Sequence, residues 1–193
     1  MIPREFFEQD PLKCARHLIG AELRWGNCSG RVVETEAYDE VGDPACHTFF
    51  RPSARKFVEQ HPAGTAYVYL NYGMHWLFNV LVKGRRRGFV LIRAIEPVEG
   101  IEEMIVRRGV TDIRRLCAGP GRLTQAFGIV GTDHGRDLCA DAVHAFHPRA
   151  KRPRIHADGR IGISVAADLP WRFTLKDSRF VSVRPKPATV ASQ

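Results

Sequence analysis

Hydrophobic and polar positions along the 193-residue chain change period several times, and each change marks an element. Asp10-Pro11 is a cap followed by a first-turn proline, and Leu12, Ala15, Leu18 and Ile19 recur at helical spacing before Gly20, which predicts a short helix. Residues 21–25 and 31–38 have strand composition and are joined by Gly26-Asn-Cys-Ser-Gly30, whose turn residues tolerate positive φ. Residues 39–64 show no clear period and contain Gly42, Pro44, Pro52, Pro62 and Gly64; so long an irregular segment is more often functional than idle. Strands return at 66–71, 75–83 and 89–95, with reversals at Gly73 and between Gly84 and Gly88. Helices are predicted over 99–108 and 120–127, the second entered through Gly119-Pro120 and ended by Gly128. Residues 133–159 read as a surface excursion, strands at 160–165, 171–175 and 180–183 are expected to close the sheet, and 185–193 has the composition of a frayed tail. The expected fold is a single domain over residues 1–193 of mixed α/β (α+β) class, a curved and largely antiparallel β-sheet with short helices and a protruding β-hairpin.

At 44% hydrophobic and 26% charged, a chain of this length can bury about 70% of its unfolded surface around one core. Its formal charge of +8 is unevenly placed. Residues 1–82 carry 8 Lys/Arg against 10 Asp/Glu, and the remainder 21 against 11, an acidic site beside a basic face that suits a polyanionic partner. Five cysteines with no Cys-x-x-Cys pair indicate neither a disulfide framework nor a zinc ribbon, so a reduced, intracellular compartment is expected. The first ten residues contain acids where a signal peptide needs an apolar run, and no later run approaches a membrane span. A soluble cytoplasmic protein is therefore expected, nucleoid-associated if the source is bacterial.

The chemistry concentrates on two strands. Side chains alternate along a strand, so Glu34, Glu36 and Tyr38 share one face, with Glu36 and Tyr38 about 7 Å apart. A half-buried glutamate has its pKa raised by lost solvation and can accept a proton from water, which makes Glu36 the catalytic candidate; its structural alternative is pairing with Arg93. Arg93 ends an apolar strand, where an isolated cation must find a partner, and the two roles are compatible. Tyr38, Tyr67, Tyr69 and Tyr72 are all the tyrosines of the chain. Tyr67 and Tyr69 share a face with Asn71 and suit a pocket wall, or a core. Tyr72, at the hairpin tip beside Gly73, is a candidate wedge into a base stack. His47 has no second histidine on a shared element, so a hydrogen-bonding pocket residue is favoured over a metal ligand. Asn79 lies in an apolar run, where its amide must find partners. Gly119-Pro-Gly-Arg-Leu123 sets Arg122 at a helix start, a plausible phosphate seat, and Arg85, Arg86 and Arg87 add sequence-independent attraction.

Taken in order, Val33-Glu-Thr-Glu-Ala-Tyr38, Asp43-x-Ala-x-His47, Gly64-x-Ala-Tyr-Val-Tyr69, Tyr72-Gly-Met74, Asn79, Leu91-Ile-Arg-Ala94, Glu96-Pro-x-Glu-Gly100 and Gly119-Pro-Gly-Arg-Leu123 resemble the alkyladenine (3-methyladenine) DNA glycosylase family. The resemblance implies a monofunctional glycosylase of base-excision repair that flips a damaged purine out of duplex DNA and hydrolyses its N-glycosidic bond. The substrates it implies are alkylated purines of the 3-methyladenine type, with hypoxanthine and ethenoadenine left open. By position it makes Glu36 the base that activates water and Arg93 the residue that orients it. Tyr38 and His47 match the pair that sandwiches the base, with Tyr69 at the pocket edge. Tyr72 matches the ring that fills the gap in the duplex, and Asn79 a residue associated with rejecting guanine. Glu34 receives no proton-transfer role, so Glu34→Gln is expected to be much milder than Glu36→Gln. No metal, no nucleotide cofactor and no Schiff-base lysine are implied, and a monomer acting on double-stranded DNA that contains damaged purines is expected. The rivals are a bifunctional glycosylase/lyase, for which Lys83 is the strand lysine nearest the pocket, and a damage-binding protein that does not cut. One departure is visible: where the family often has Gly-x-Thr-x-Arg-Asn, this chain has Arg51-Pro-Ser-Ala-Arg-Lys56, with consequences for the packing of 48–62.

Overall fold

Strand β2 (Cys28–Asp39) is the member on which the other elements assemble. In the computed structural model, which describes residues 1–185, it is 12 residues long and pairs along one edge with β5 (Arg87–Glu99). Its other edge is shared by β1 (Glu22–Trp25) and then β8 (Arg172–Leu175), so the sheet cannot stay flat and curls around β2. With β3 (Ala66–Asn71), β4 (His75–Lys83), β6 (His144–His147) and β7 (Ile155–Asp158), the eight strands run in the order β3-β4-β5-β2-β1-β6, and β8 bridges β2 and β7. Every pairing is antiparallel. This is the expected α+β class, and the hairpin of β3 and β4 ends in a tip that stands out from the sheet.

Period-two alternation divides the central strands into two environments. Val68, Phe78, Val80, Val90 and Ile92 point to the main core, where the helix α1 (Pro11–Leu18) buries Cys14, Ala15 and Leu18. The helix α6 (Pro120–Phe127) adds Leu123, Ala126 and Phe127 to the same core. The opposite face carries Glu34, Glu36 and Tyr38 on β2, Tyr67 and Tyr69 on β3, Asn79 and Leu81 on β4, and Phe89, Leu91 and Arg93 on β5. A smaller apolar cluster of Cys46, Ala54, Phe57, Val58, Tyr67, Leu81 and Phe89 closes one end of that face. Gly88 is required where β5 meets β2, because a Cβ there would lie 2.1 Å from the Tyr38 carbonyl oxygen.

Several expected elements differ. The β1–β2 reversal is tighter than the 26–30 turn, since Trp25 already pairs with Cys28. Residues 39–64 are not irregular throughout: they form α2 (His47–Phe50) and α3 (Pro52–Gln60), whose buried Ala54, Phe57 and Val58 were too few to register as a period. Lys56 lies on the solvent side of α3, so the departure at that position leaves its packing intact. The helix expected from 99 begins two residues later as α4 (Ile101–Arg108), because β5 runs on to Glu99. A short α5 (Ile113–Leu116) was not anticipated. The stretch 133–159 is no surface excursion; β6 and β7 lie within it, and Ala145 and Phe146 are buried. Conversely, 160–165 and 180–183 are not strands, because Ile161 and Ser182 direct their N–H groups to the carboxylates of Glu36 and Glu34. Of the tail, residues 186–193 lie outside the described residues. No described helix is long and apolar enough to cross a membrane.

Candidate active site

Two adjacent same-face glutamates on β2 are both without solvent exposure, yet they are bonded differently. Glu34 is a hub: it accepts from Arg93 Nε at 3.0 Å, Arg172 Nε at 2.7 Å, Ser182 N at 2.6 Å and Ser182 Oγ at 2.8 Å. Glu36 accepts from the Tyr38 hydroxyl at 2.8 Å and the Ile161 N–H at 2.7 Å, while Arg93 Nη1 stands 3.3 Å from its Oε1. Burial pushes the Glu36 carboxyl above its ordinary value, outweighing the opposing pull of Arg93 and of its two hydrogen bonds. A carboxylate so placed is a stronger proton acceptor than an exposed glutamate. The Arg93 guanidinium remains cationic because Glu36 and Glu34 together overcome its own desolvation.

Arg93 reaches both glutamates because the β2–β5 register slips on either side of Glu34. Val32 pairs with Ile95, Glu34 with Ala94 and Thr35 with Ile92, which leaves Arg93 without a Cα partner on β2. Such irregularities bend a strand and re-aim a side chain, and they recur beside active sites. Alternation alone could not anticipate this one.

Next to the partners of Glu36 opens a cavity of about 810 Å³, lined among others by Tyr38, His47, Tyr67, Tyr69, Asn79, Arg93 and Ile161. It therefore collects every residue expected to touch a base. The ring of His47, at the start of α2, lies 4.3 Å from that of Tyr69, and its Nδ1 is 3.0 Å from the Tyr67 hydroxyl. Burial, then the nearby Arg51, lower its pKa to about 4, so at neutral pH the imidazole is uncharged. Tyr67 stacks on Phe89 at 4.4 Å, fixing this wall from below. Burial raises the phenols of Tyr38 and Tyr69, which stay protonated, and the Tyr38 hydroxyl donates to Glu36. Asn79 is buried and donates to the Tyr67 carbonyl at 3.2 Å, leaving part of its amide for the cavity it lines. Arg51 sits over the Tyr69 ring at 5.7 Å and over Phe50 at 5.6 Å, a cationic rim not anticipated from sequence.

Tyr72 stands at the mouth, 84% exposed, with φ at +49°. An aromatic residue in the left-handed region is uncommon and costs energy, and such strain is typical of functional positions. Arg122 also borders the mouth at the start of α6. Arg85, Arg86 and Arg87 do not: the β4–β5 reversal lies at the other end of β4, about 27 Å away at strand rise. There Arg86 pairs with Asp39 at 2.6 Å and Arg87 with Glu40 at 2.6 Å. Lys83 is likewise committed elsewhere, donating to the carbonyls of Val58 and His61 at the end of α3. Among the described residues no three His, Cys, Asp or Glu side chains come together as a metal site requires.

The residues that sequence reasoning missed are the partners from the C-terminal third. Arg172 and Ser182 hold Glu34, and Ile161 holds Glu36. Arg160 makes a two-pronged pair with Asp43 at 2.6 and 2.8 Å, wholly buried, behind Tyr38.

Comparison with known proteins identifies the family. A family model described as "Methylpurine-DNA glycosylase (MPG)" matches residues 5–179. A relative from Rhodopseudomonas palustris is 47% identical over 188 residues, covering 97% of this chain and 90% of its own length. One from Agrobacterium fabrum is 46% identical, covering 96% and 94%, and one from Nitrosospira multiformis 44%, covering 91% of each. All three are named "Putative 3-methyladenine DNA glycosylase".

Proposed function

Because this chain belongs to the methylpurine-DNA glycosylase family, we propose that it is a monofunctional DNA glycosylase that removes alkylated purines of the 3-methyladenine type from duplex DNA. One observation carries the reading: a fully buried carboxylate with a raised pKa, Glu36, is bonded to Tyr38, Ile161 and Arg93, which line an aromatic cavity whose mouth holds an exposed, strained tyrosine.

In this reading the damaged nucleotide turns out of the stack into the cavity, against Tyr38, His47 and Tyr69, while Tyr72 occupies the space it leaves. A water held by Arg93 and Glu36 attacks C1′ of the sugar. The C1′–N bond breaks, its electron pair departs with the purine, and the water's proton passes to Glu36. An N3- or N7-alkylated purine is cationic before cleavage and neutral after it, so it leaves without prior protonation and stacks well on electron-rich rings. The uncharged His47 supports this preference, since an imidazolium there would repel such a base. Asn79, with half its amide already bound to the Tyr67 carbonyl, is placed to read the exocyclic edge of a purine. Lys83, held at the end of α3, gives no support to lyase chemistry.

The test is single-turnover release of 3-methyladenine from duplex DNA by the native protein and by Glu36→Gln. The amide fills the same space but accepts no proton, so excision is expected to fall at least about 10²-fold while binding to damaged duplex persists. No release by the native protein would refute the enzymatic reading in favour of damage binding, and a near-native rate for the variant would remove Glu36 from the mechanism. Running hypoxanthine and ethenoadenine duplexes alongside defines the range of bases released.

A further inference from the structure

Behind the base pocket lies an ion pair that takes no part in the chemistry described above. Asp43 and Arg160 are 117 residues apart, neither side chain has solvent exposure, and the guanidinium grips the carboxylate through both terminal nitrogens. Arg160 also donates to the carbonyls of Ala37 at 3.0 Å and Ala166 at 3.3 Å. Its Cζ lies 4.7 Å from the ring centre of Tyr38 and 5.1 Å from that of Trp171, and its Nε has no hydrogen-bond partner among the described residues. A buried pair of this kind adds little net stability over apolar packing, so its placement calls for a different explanation.

Three functional groups depend on it. Tyr38 is backed by the guanidinium, which fixes the ring that a base would stack on. Asp43 accepts from the N–H groups of Asp39 and Ala45, and its carbonyl from Cys46, so the carboxylate sets the bend that leads into α2 and His47. Arg160 immediately precedes Ile161, whose N–H is bonded to Glu36. We propose that the Arg160–Asp43 pair is the positioning element of this site, locking the Tyr38 ring, the His47 helix and the Ile161 donor to Glu36 into one unit. Arg160 and Asp43 are positioning residues, acting through these neighbours. The inference rests on the excision reading above and deepens it.

Arg160→Lys keeps the charge but loses the planar fork and the stack on Tyr38, so it separates positioning from simple charge balance. The assay is single-turnover excision of 3-methyladenine as a function of pH, normalised to folded protein by circular dichroism and by titration with damaged duplex. Displacements of about 1 Å at a reacting centre can cost 10²-fold, and a loss of about 10- to 100-fold is expected here. The acid limb of the profile is also expected to move to higher pH. Glu36 is faced by Arg93, Glu34, the Tyr38 hydroxyl and the Ile161 N–H, with Arg160 next in range; the variant loosens the Tyr38 and Ile161 hydrogen bonds that hold the carboxylate charged and leaves Arg93 and Glu34 in place. Should Arg160→Lys not accumulate as folded protein, Asp43→Asn takes its place, with the same direction of both effects. A variant that melts earlier but excises within about threefold of the native rate, with its acid limb in place, overturns the inference and leaves the excision reading standing. A native protein that releases no base overturns both.

Discussion

Glu34→Gln separates a proton-transfer view of the paired glutamates from a structural one. The resemblance gives Glu34 no proton to take, which suggests a mild change, but the structure argues otherwise. Its carboxylate is the shared acceptor of Arg93, Arg172 and Ser182, with both guanidinium groups buried. Glutamine keeps one acceptor oxygen and turns an NH₂ group towards donors, leaving two buried cations with Glu36 and Asp158 as their remaining acids. Breaking one side of a buried pair costs about 3–5 kcal/mol, a large part of the ~5–15 kcal/mol that holds a domain together. For a chain of this size each kcal/mol shifts Tm by about 2–4 °C, so a fall of roughly 6–20 °C is expected in a thermal melt. Excision should then be measured well below that midpoint. Removing the like charge of Glu34 lowers the Glu36 pKa, so the acid limb of the pH–rate profile is expected to move down, opposite to the shift expected for Arg160→Lys. A Tm within about 2 °C of the native protein, together with an unmoved acid limb, would refute the hub role.

Three further outcomes are expected. Tyr72→Ala should keep the native Tm, because an 84% exposed ring packs on little, and should lose excision from paired duplex more than from an unpaired lesion, where flipping already costs less; equal losses with a large fall in Tm would contradict the wedge. Neutralising Arg85, Arg86 and Arg87 together should leave the salt dependence of duplex binding unchanged, since two of them are paired far from the mouth, whereas Arg122→Gln should reduce the slope by about one. A lower slope in the triple variant alone would move the DNA path to the β4–β5 turn. His47 is held neutral by burial, with a pKa of about 4 against 6.5 when unfolded, so the unfolded state binds the extra proton first and stability is lost as pH falls from 6.5 towards 4. The native-minus-His47→Gln difference in Tm isolates this contribution from that of Glu36, and a difference independent of pH would exclude it.

What was legible in the chain follows from the range of the physics that each inference uses. Strand alternation is local, so Glu34, Glu36 and Tyr38 could be set on one face, and Tyr67 and Tyr69 on another strand of the same wall, from spacing alone. The hairpin tip was equally local, although the positive φ of Tyr72 was not. Elements of four residues, such as α2, α5 and β6, offer too few apolar positions to define a period, and α3 buries only three. Desolvation reaches further but is blind to direction. It required a partner for Arg93, and applied to Arg172 in the apolar strand Trp-Arg-Phe-Thr-Leu175 it would have required another, yet it names no residue. Burying two glutamates side by side on β2 obliges the fold to bring donors to them: cations arrive from β5 and β8, and a backbone N–H from the loop after Arg160. The irregular C-terminal third is therefore ordered by the site rather than by sheet pairing, which is why periodicity placed strands at 160–165 and 180–183 where the backbone N–H groups serve carboxylates instead.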